Sequence, residues 1–264
     1  MRAHSWLAGL YWAAVTISAL PLGLIALTSL AQGSIVSFPL GPLGLHWYAT
    51  AIHDPGFRSA FGLSVMLAAA SAVLAVVAGS WIALAAGLVT RRWLRLVFLG
   101  GALLPLVTPG IVHAVALRIS IAVIGLAPGP IAILLGHAIH ATPYAVIMVG
   151  ARRATLPVGQ VEAARTLGAD PIAAFIHVVL PWLRPALFGA GGLAALSSFD
   201  DFIRSFFLGG YNPTLPVLIF GRLRSGLTPE INAISTIVLL IACLVGAAVE
   251  RLRPISGISA SALG

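Results

Sequence analysis

Two of the seven acidic residues of this chain, Asp200 and Asp201, stand side by side in an apolar stretch, with Arg204 four and three residues further on. A carboxylate in such a setting is costly unless it meets a cation, so this group can hold an internal ion pair, a cationic ligand, or both. Either pairing is open on a helix face. One arginine cannot balance two carboxylates. The expectation is that Arg204 neutralises Asp200 and leaves Asp201 facing a cationic solute, with Phe199 beside them for cation–π or apolar contact. His113, near a double-proline stretch, is a further candidate for lining a polar pathway. His137 and His140 are spaced i, i+3 as in a metal pair, but no third and fourth ligand stand near them. Interhelical hydrogen bonding is the expected role, and no metal site is assigned. Ser197, Ser198, His113 and Asp200 contain the elements of a nucleophilic site, yet no strand–turn elbow accompanies them, and no catalytic residue is assigned.

These residues need elements to position them, and composition says which. Of 264 residues, 59% are apolar and 8% charged, against about 45–50% and about 25% in soluble domains. That excludes a disordered chain and a water-exposed globule. Cys243, the only cysteine, excludes a disulfide scaffold. All fifteen basic residues are arginines, and without a lysine the chain cannot carry a phosphate-cradling G-x-x-x-x-G-K-[ST] loop. The net charge of +8 is spread in small groups between apolar runs, which argues against a nucleic-acid surface.

A helix crossing the hydrocarbon core needs about 20 mainly apolar residues. Six such runs are present, at approximately 8–30, 60–88, 97–121, 128–150, 184–208 and 231–250. The fold class expected is therefore an all-α membrane protein of six spans forming a single domain over 1–264. The first run is too long for a signal-peptide core. Arg2, Arg91, Arg92, Arg95, Arg152, Arg153, Arg165, Arg184, Arg251 and Arg253 fall on one side, and only Arg58, Arg222 and Arg224 on the other. Ten against three places both termini in the cytoplasm. Pro105 and Pro109 remove two backbone hydrogen bonds from the third run, so a distorted helix bordering a cavity is expected there.

The loop 151–183 is too polar to span. One short helix is expected over 158–167, ending at Gly168 as a left-handed cap. A second opens with Asp170 as N-cap and Pro171 at N1. Its apolar stripe runs through Ile172, Phe175, Ile176, Val179 and Leu180, and Pro181 closes it. The segment "EAARTLGADPIAAFIHVVLP", Glu162–Pro181, resembles the E-A-A-x-x-x-G-x9-I-x-L-P loop of binding-protein-dependent ABC transporter permeases of the MetI-like fold. Glu162, Ala163, Ala164, Gly168, Leu180 and Pro181 keep its spacing, and Val178 replaces the usual Ile.

"LHWYATAIHDPGFRSAFGLS" and "GHAIHATPYAVIMVGARRATL" extend the resemblance, although Gly62 stands where the family has Asn. "SFDDFIRSFFLGG" and "TLPVLIFGRLRSGLTPEINAISTIVLL" are similar to the spermidine/putrescine subgroup.

The resemblance implies a multi-pass subunit of the bacterial inner membrane, not itself an enzyme. It implies a coupling loop docking on a cytoplasmic ABC ATPase dimer, a second permease chain that is related but different, and an extracytoplasmic solute-binding protein. No cofactor is bound by this chain; ATP and magnesium belong to the ATPase. The implied cargo is a polyamine, the alternatives being an amino-acid derivative, a phosphonate or iron. A secondary transporter is the other class, but no internal repeat relates 1–132 to 133–264.

Overall fold

The computed structural model describes residues 2–33, 39–226 and 228–252. Arg253, one of the arginines used for orientation, lies outside the described residues. The order is α1 (Arg2–Thr28), α2 (His46–His53), α3 (Pro55–Ala86), α4 (Arg92–Val107), α5 (Gly110–Val123), α6 (Pro130–Ala154), α7 (Gln160–Thr166), α8 (Pro171–Ala174), α9 (Leu180–Phe199), α10 (Phe202–Leu208), α11 (Leu215–Arg224) and α12 (Pro229–Leu252). A π-helical turn, Phe175–Val179, joins α8 to α9. Among the described residues the extended structure is one isolated bridge, Ala31 with Leu43.

Among the described residues, four helical stretches are long and apolar enough to cross a membrane: Gly9–Thr28, Pro55–Ala86, Pro130–Ala154 and Pro171–Phe199. The third run expected from the sequence is split into α4 and α5, bent by 111°, and counts as a fifth if the pair is one span. Pro105 lies inside α4, and Pro109 is the N-cap of α5. The break falls where the second proline withholds its N–H. The sixth run forms α12.

Two sequence expectations are corrected. Pro181 does not close the second loop helix, because the chain stays helical from Pro171 to Phe199. Leu180 N–H bonds the Phe175 carbonyl, an i→i+5 step, and this wider turn lets the helix pass the missing N–H of Pro181. The same turn breaks the apolar stripe. Ile172 and Ile176 remain exposed, Val179 and Leu180 are half-buried, and Ala174 is the buried residue. The fifth run also does not continue to 208: α9 stops at Phe199 and α10 restarts at Phe202.

The chain divides into two compact units, 59–218 and a unit of 1–58 with 219–264. In the first, α6 is the central element, packed most extensively on α9. Its buried face is rich in small residues, including Ala132, Gly136, Ala138, Ala141 and Ala145. Without a hydrophobic drive between helices in lipid, small residues allow the close backbone approach that dispersion needs. Gly79 of α3 makes this concrete: a Cβ there would lie 2.8 Å from the Thr142 carbonyl oxygen and 3.0 Å from Val146 N.

In the second unit α12 packs on α1 and α2. Asn232 Nδ2 donates to Thr28 Oγ1 at 2.9 Å, and Ser29 Oγ meets Tyr48 OH at 2.5 Å. Arg222 pairs with both Asp54 and Glu230, and Asp54 also accepts from Gly56 N–H at 2.7 Å. Burial acts to raise the Asp54 pKa, but the Arg222 guanidinium and the Gly56 N–H outweigh it and hold it below its ordinary value of 3.8. With the folded-state pKa below the unfolded one, the stabilisation is complete above the ordinary value and is lost as pH falls through the lowered one. The melting temperature of Asp54→Asn should therefore lie below that of the parent at pH 7, with the gap narrowing toward pH 3. Melting curves across that range check it, and a gap independent of pH would refute the role of the carboxylate charge.

Candidate functional site

Two groups of residues carry chemistry, and both belong to the 59–218 unit. The first gathers at the breaks in the third and fifth runs. Asp201 is the N-cap of α10, its Oδ1 accepting from Arg204 N–H at 2.9 Å. Its Oδ2 forms an ion pair with Arg204 Nη1. Both side chains are buried, 4% and 7% exposed. Arg204 reaches two further elements. Nε donates to His113 Nδ1 of α5 at 3.2 Å, and Nη2 meets His140 Nδ1 of α6 at 2.8 Å.

A guanidinium only donates, so both imidazoles accept through Nδ1 and keep the proton on Nε2. The His140 ring also lies near the Pro105 carbonyl. That carbonyl would ordinarily bond the N–H of residue 109, which is proline. Next to this group His137 Nδ1 bonds Ser198 Oγ of α9 at 2.7 Å, and its Nε2 bonds Ser205 Oγ of α10 at 3.2 Å.

The assignment of the two carboxylates is corrected. Arg204 pairs with Asp201, and Asp200 is the exposed one. The reason is the helix break. With Asp201 extended at φ −75°, ψ 95°, its carboxylate turns back over the first turn of α10, where Arg204 lies, while Asp200 remains on the last turn of α9. The continuous helix assumed from sequence would have left both pairs open. His113 does join the cluster, as a ligand of Arg204. Phe199 stacks edge-on with Phe61 at 6.0 Å. The lone pairs of His113 and His140 point at Arg204 and are not offered to a metal.

His140, His137, Ser198 and Ser205 complete the cluster, and sequence reading did not place them in it. The i, i+3 histidines were the available signal.

The second group is the loop 151–183. Gly159 and Gly168 have φ of +90° and +92° and bracket α7, and Asp170 Oδ1 caps the next helix by accepting from Ala173 N–H at 2.7 Å. Glu162, Ala163 and Gly168 are exposed, while Ala164, Val178, Leu180 and Pro181 are half-buried. Leu167 and Val158 stand almost fully in the open. Between α7 and the Pro171–Phe199 helix lies a concavity of about 580 Å³, lined among others by Ala163, Ala164, Leu167, Val178 and Pro181.

Its floor is a reciprocal lock. Arg152 Nε donates to the Trp182 carbonyl at 2.9 Å, Trp182 Nε1 donates to the Arg152 carbonyl at 3.1 Å, and the guanidinium lies 4.2 Å from the indole centroid. The elbow is therefore fixed to α6 and α9 at its base and uncovered at its tip.

With this geometry in place, the likeness to known proteins is decisive. The family described as the binding-protein-dependent transport system inner membrane component matches residues 75–256. The chain belongs to this family. It is 30% identical to the putrescine transport system permease protein PotI of Escherichia coli K12 over 237 residues, 86% of this chain and 83% of that one. It is also 30% identical over 197 residues to the spermidine/putrescine transport system permease protein PotC of Haemophilus influenzae, 74% and 76% of the two chains.

Among solved structures, a bacterial ABC transporter that imports alginate gives a TM-score of 0.67 at 18% identity, covering 96% of this chain and 97% of that one. An amino acid ABC transporter gives 0.54 at 19%, covering 78% and 98%. These establish the fold. The chain is thus a multi-pass ABC importer permease, a transport component.

Within this permease, replacing Arg204 by Met leaves Asp201 as an unpaired buried carboxylate, which should cost about 3–5 kcal/mol. Adding Asp201→Asn, which keeps a capping oxygen, should recover most of it. Thermal unfolding of the single and double variants in detergent tests this. If the double variant melts no higher than Arg204→Met, the ion pair is not what holds the break.

Proposed function

We propose that this permease is one of two membrane subunits of an ATP-driven importer for a cationic polyamine in the bacterial inner membrane. The whole chain then acts as one permease domain of six spans with both termini in the cytoplasm. A related, different permease chain completes the pathway. An ABC ATPase dimer, which binds ATP and magnesium, docks on the cytoplasmic elbow. An extracytoplasmic binding protein delivers the solute.

The observation that carries this reading is the elbow itself. A small-residue helix with exposed Glu162 and Ala163 projects from the spans and is clamped at its root by Arg152 and Trp182. Apolar side chains such as Leu167 left open beside a concavity call for a protein partner. The names of PotI and PotC supply the cargo class.

Docking is tested at the elbow. Gly168→Val forces a β-branched residue into a left-handed conformation, at about 1–2 kcal/mol or more, and Glu162→Lys reverses the charge at the tip. Each should abolish co-purification of the ATPase and reduce uptake to background while the permease still inserts. Persistence of both would exclude this loop as the docking element.

The cargo contact falls to Asp200. Its carboxylate is exposed at the α9–α10 break and forms no ion pair among the described residues. Asp200→Asn should lower uptake of radiolabelled putrescine by roughly tenfold, the scale of one charged hydrogen bond, with assembly intact. Unchanged uptake by an assembled complex would remove Asp200 from the pathway.

A further inference from the structure

A second concavity, of about 510 Å³, lies where α3 ends, α4 begins and α6 ends. Its polar rim is made by Arg95 and Arg153 and its walls by Leu99, Leu103, Val146 and Ile147. Each guanidinium is oriented by a backbone carbonyl. Arg95 donates through Nε and Nη2 to the Val89 carbonyl at 3.1 and 2.7 Å. Arg153 donates through Nη1 to the Leu84 carbonyl at 2.8 Å, crossing over Gly87, where any Cβ would collide with it.

These contacts fix the two side chains without neutralising them. None of the ion pairs among the described residues involves either arginine, and no carboxylate lines the concavity. Two positive charges therefore face one space at the ends of three helices, which the spans proposed above put at headgroup level. Leu99 and Leu103 follow Arg95 at one and two helical turns, so the aliphatic wall runs about 12 Å inward from the charged rim.

We propose that this slot binds one anionic phospholipid, its phosphate on Arg95 and Arg153 and an acyl chain along Leu99, Leu103 and Ile147. Guanidinium donors match phosphate oxygens in geometry and in charge, and basic pockets between spanning helices are suited to anionic headgroups. A soluble anion would use the rim and leave the aliphatic wall in contact with water. A lipid uses both.

The test titrates the purified, assembled transporter with phosphatidylglycerol, phosphatidylcholine or chain-free glycerophosphoglycerol, and counts adducts on this chain by native mass spectrometry. One phosphatidylglycerol should bind per copy, with phosphatidylcholine and the free headgroup much weaker. Arg95→Gln with Arg153→Gln should weaken phosphatidylglycerol about 30-fold, or about fivefold for each charge. Should that variant fail to assemble, Ala154→Glu places a carboxylate on the lining of the slot and leaves both backbone contacts in place. It should weaken phosphatidylglycerol selectively.

The proposal is overturned if phosphatidylcholine or the free headgroup binds as tightly, or if the variants retain phosphatidylglycerol. It is equally overturned if the assembled transporter takes up none, because protein then fills the slot. The readout is lipid, so the result is independent of the cargo assignment.

Discussion

A guanidinium keeps its charge under all physiological conditions, and burying one among apolar helices is tolerable only if its donors are met. Arg204 is such a group. One carboxylate and two imidazoles meet it, from three separate elements. Much of the irregular backbone of the 59–218 unit follows from that requirement. The carboxylate reaches Arg204 because the fifth run breaks and Asp201 turns back as a cap. The His140 ring in turn lies near the Pro105 carbonyl that Pro109 cannot serve. In hydrocarbon, broken helices persist only where other groups replace the lost hydrogen bonds. The two breaks and the ion pair are thus one structure.

Two other arginines repeat the theme. Arg95 donates to the Val89 carbonyl just past α3, and Arg153 to the Leu84 carbonyl in its last turn. The last carbonyls of a helix have no partner within it. An arginine can bond such a carbonyl with one nitrogen and still present others. A lysine, with a compact ammonium, cannot hold two directions in one plane. The exclusive use of arginine fits a chain whose cations serve helix ends.

What could be read from the sequence was what local chemistry decides. Asp170 followed by Pro171 starts a helix by capping and fixed φ, whatever surrounds it. Gly168 accepts a left-handed conformation that its neighbours would resist. Prolines 105 and 109 had to disturb their helix. What could not be read depended on two things at once. The choice of Asp201 over Asp200 rests on where α9 stops, which Arg204 and the histidines decide together. Pro181 looked like a terminator because a π turn, set by packing, leaves no periodic trace. His137 and His140 gave the spacing of a polar pair, but their partners lie 61 to 68 residues away and share no pattern with them.

The same contacts bear on how movement at the elbow reaches the interior. The α6 and α9 helices are tied at two levels. Arg152 and Trp182 interlock at the loop end, and His137 and Ser198 bond deep in the pair. The two ties are 15 residues apart on α6 and 16 on α9, about 22 and 24 Å along helices of 1.5 Å rise. Close small-residue packing between them leaves little room for sliding. On the docking proposed above, a pair held at both ends would pass a push on Glu162–Pro181 along its length. The push would arrive where α9 stops, beside the exposed Asp200 and the buried Asp201–Arg204 pair. The backbone is already broken there, and broken again at Pro109 on the far side of Arg204. Rigid elements thus meet compliant ones at the buried Asp201–Arg204 pair.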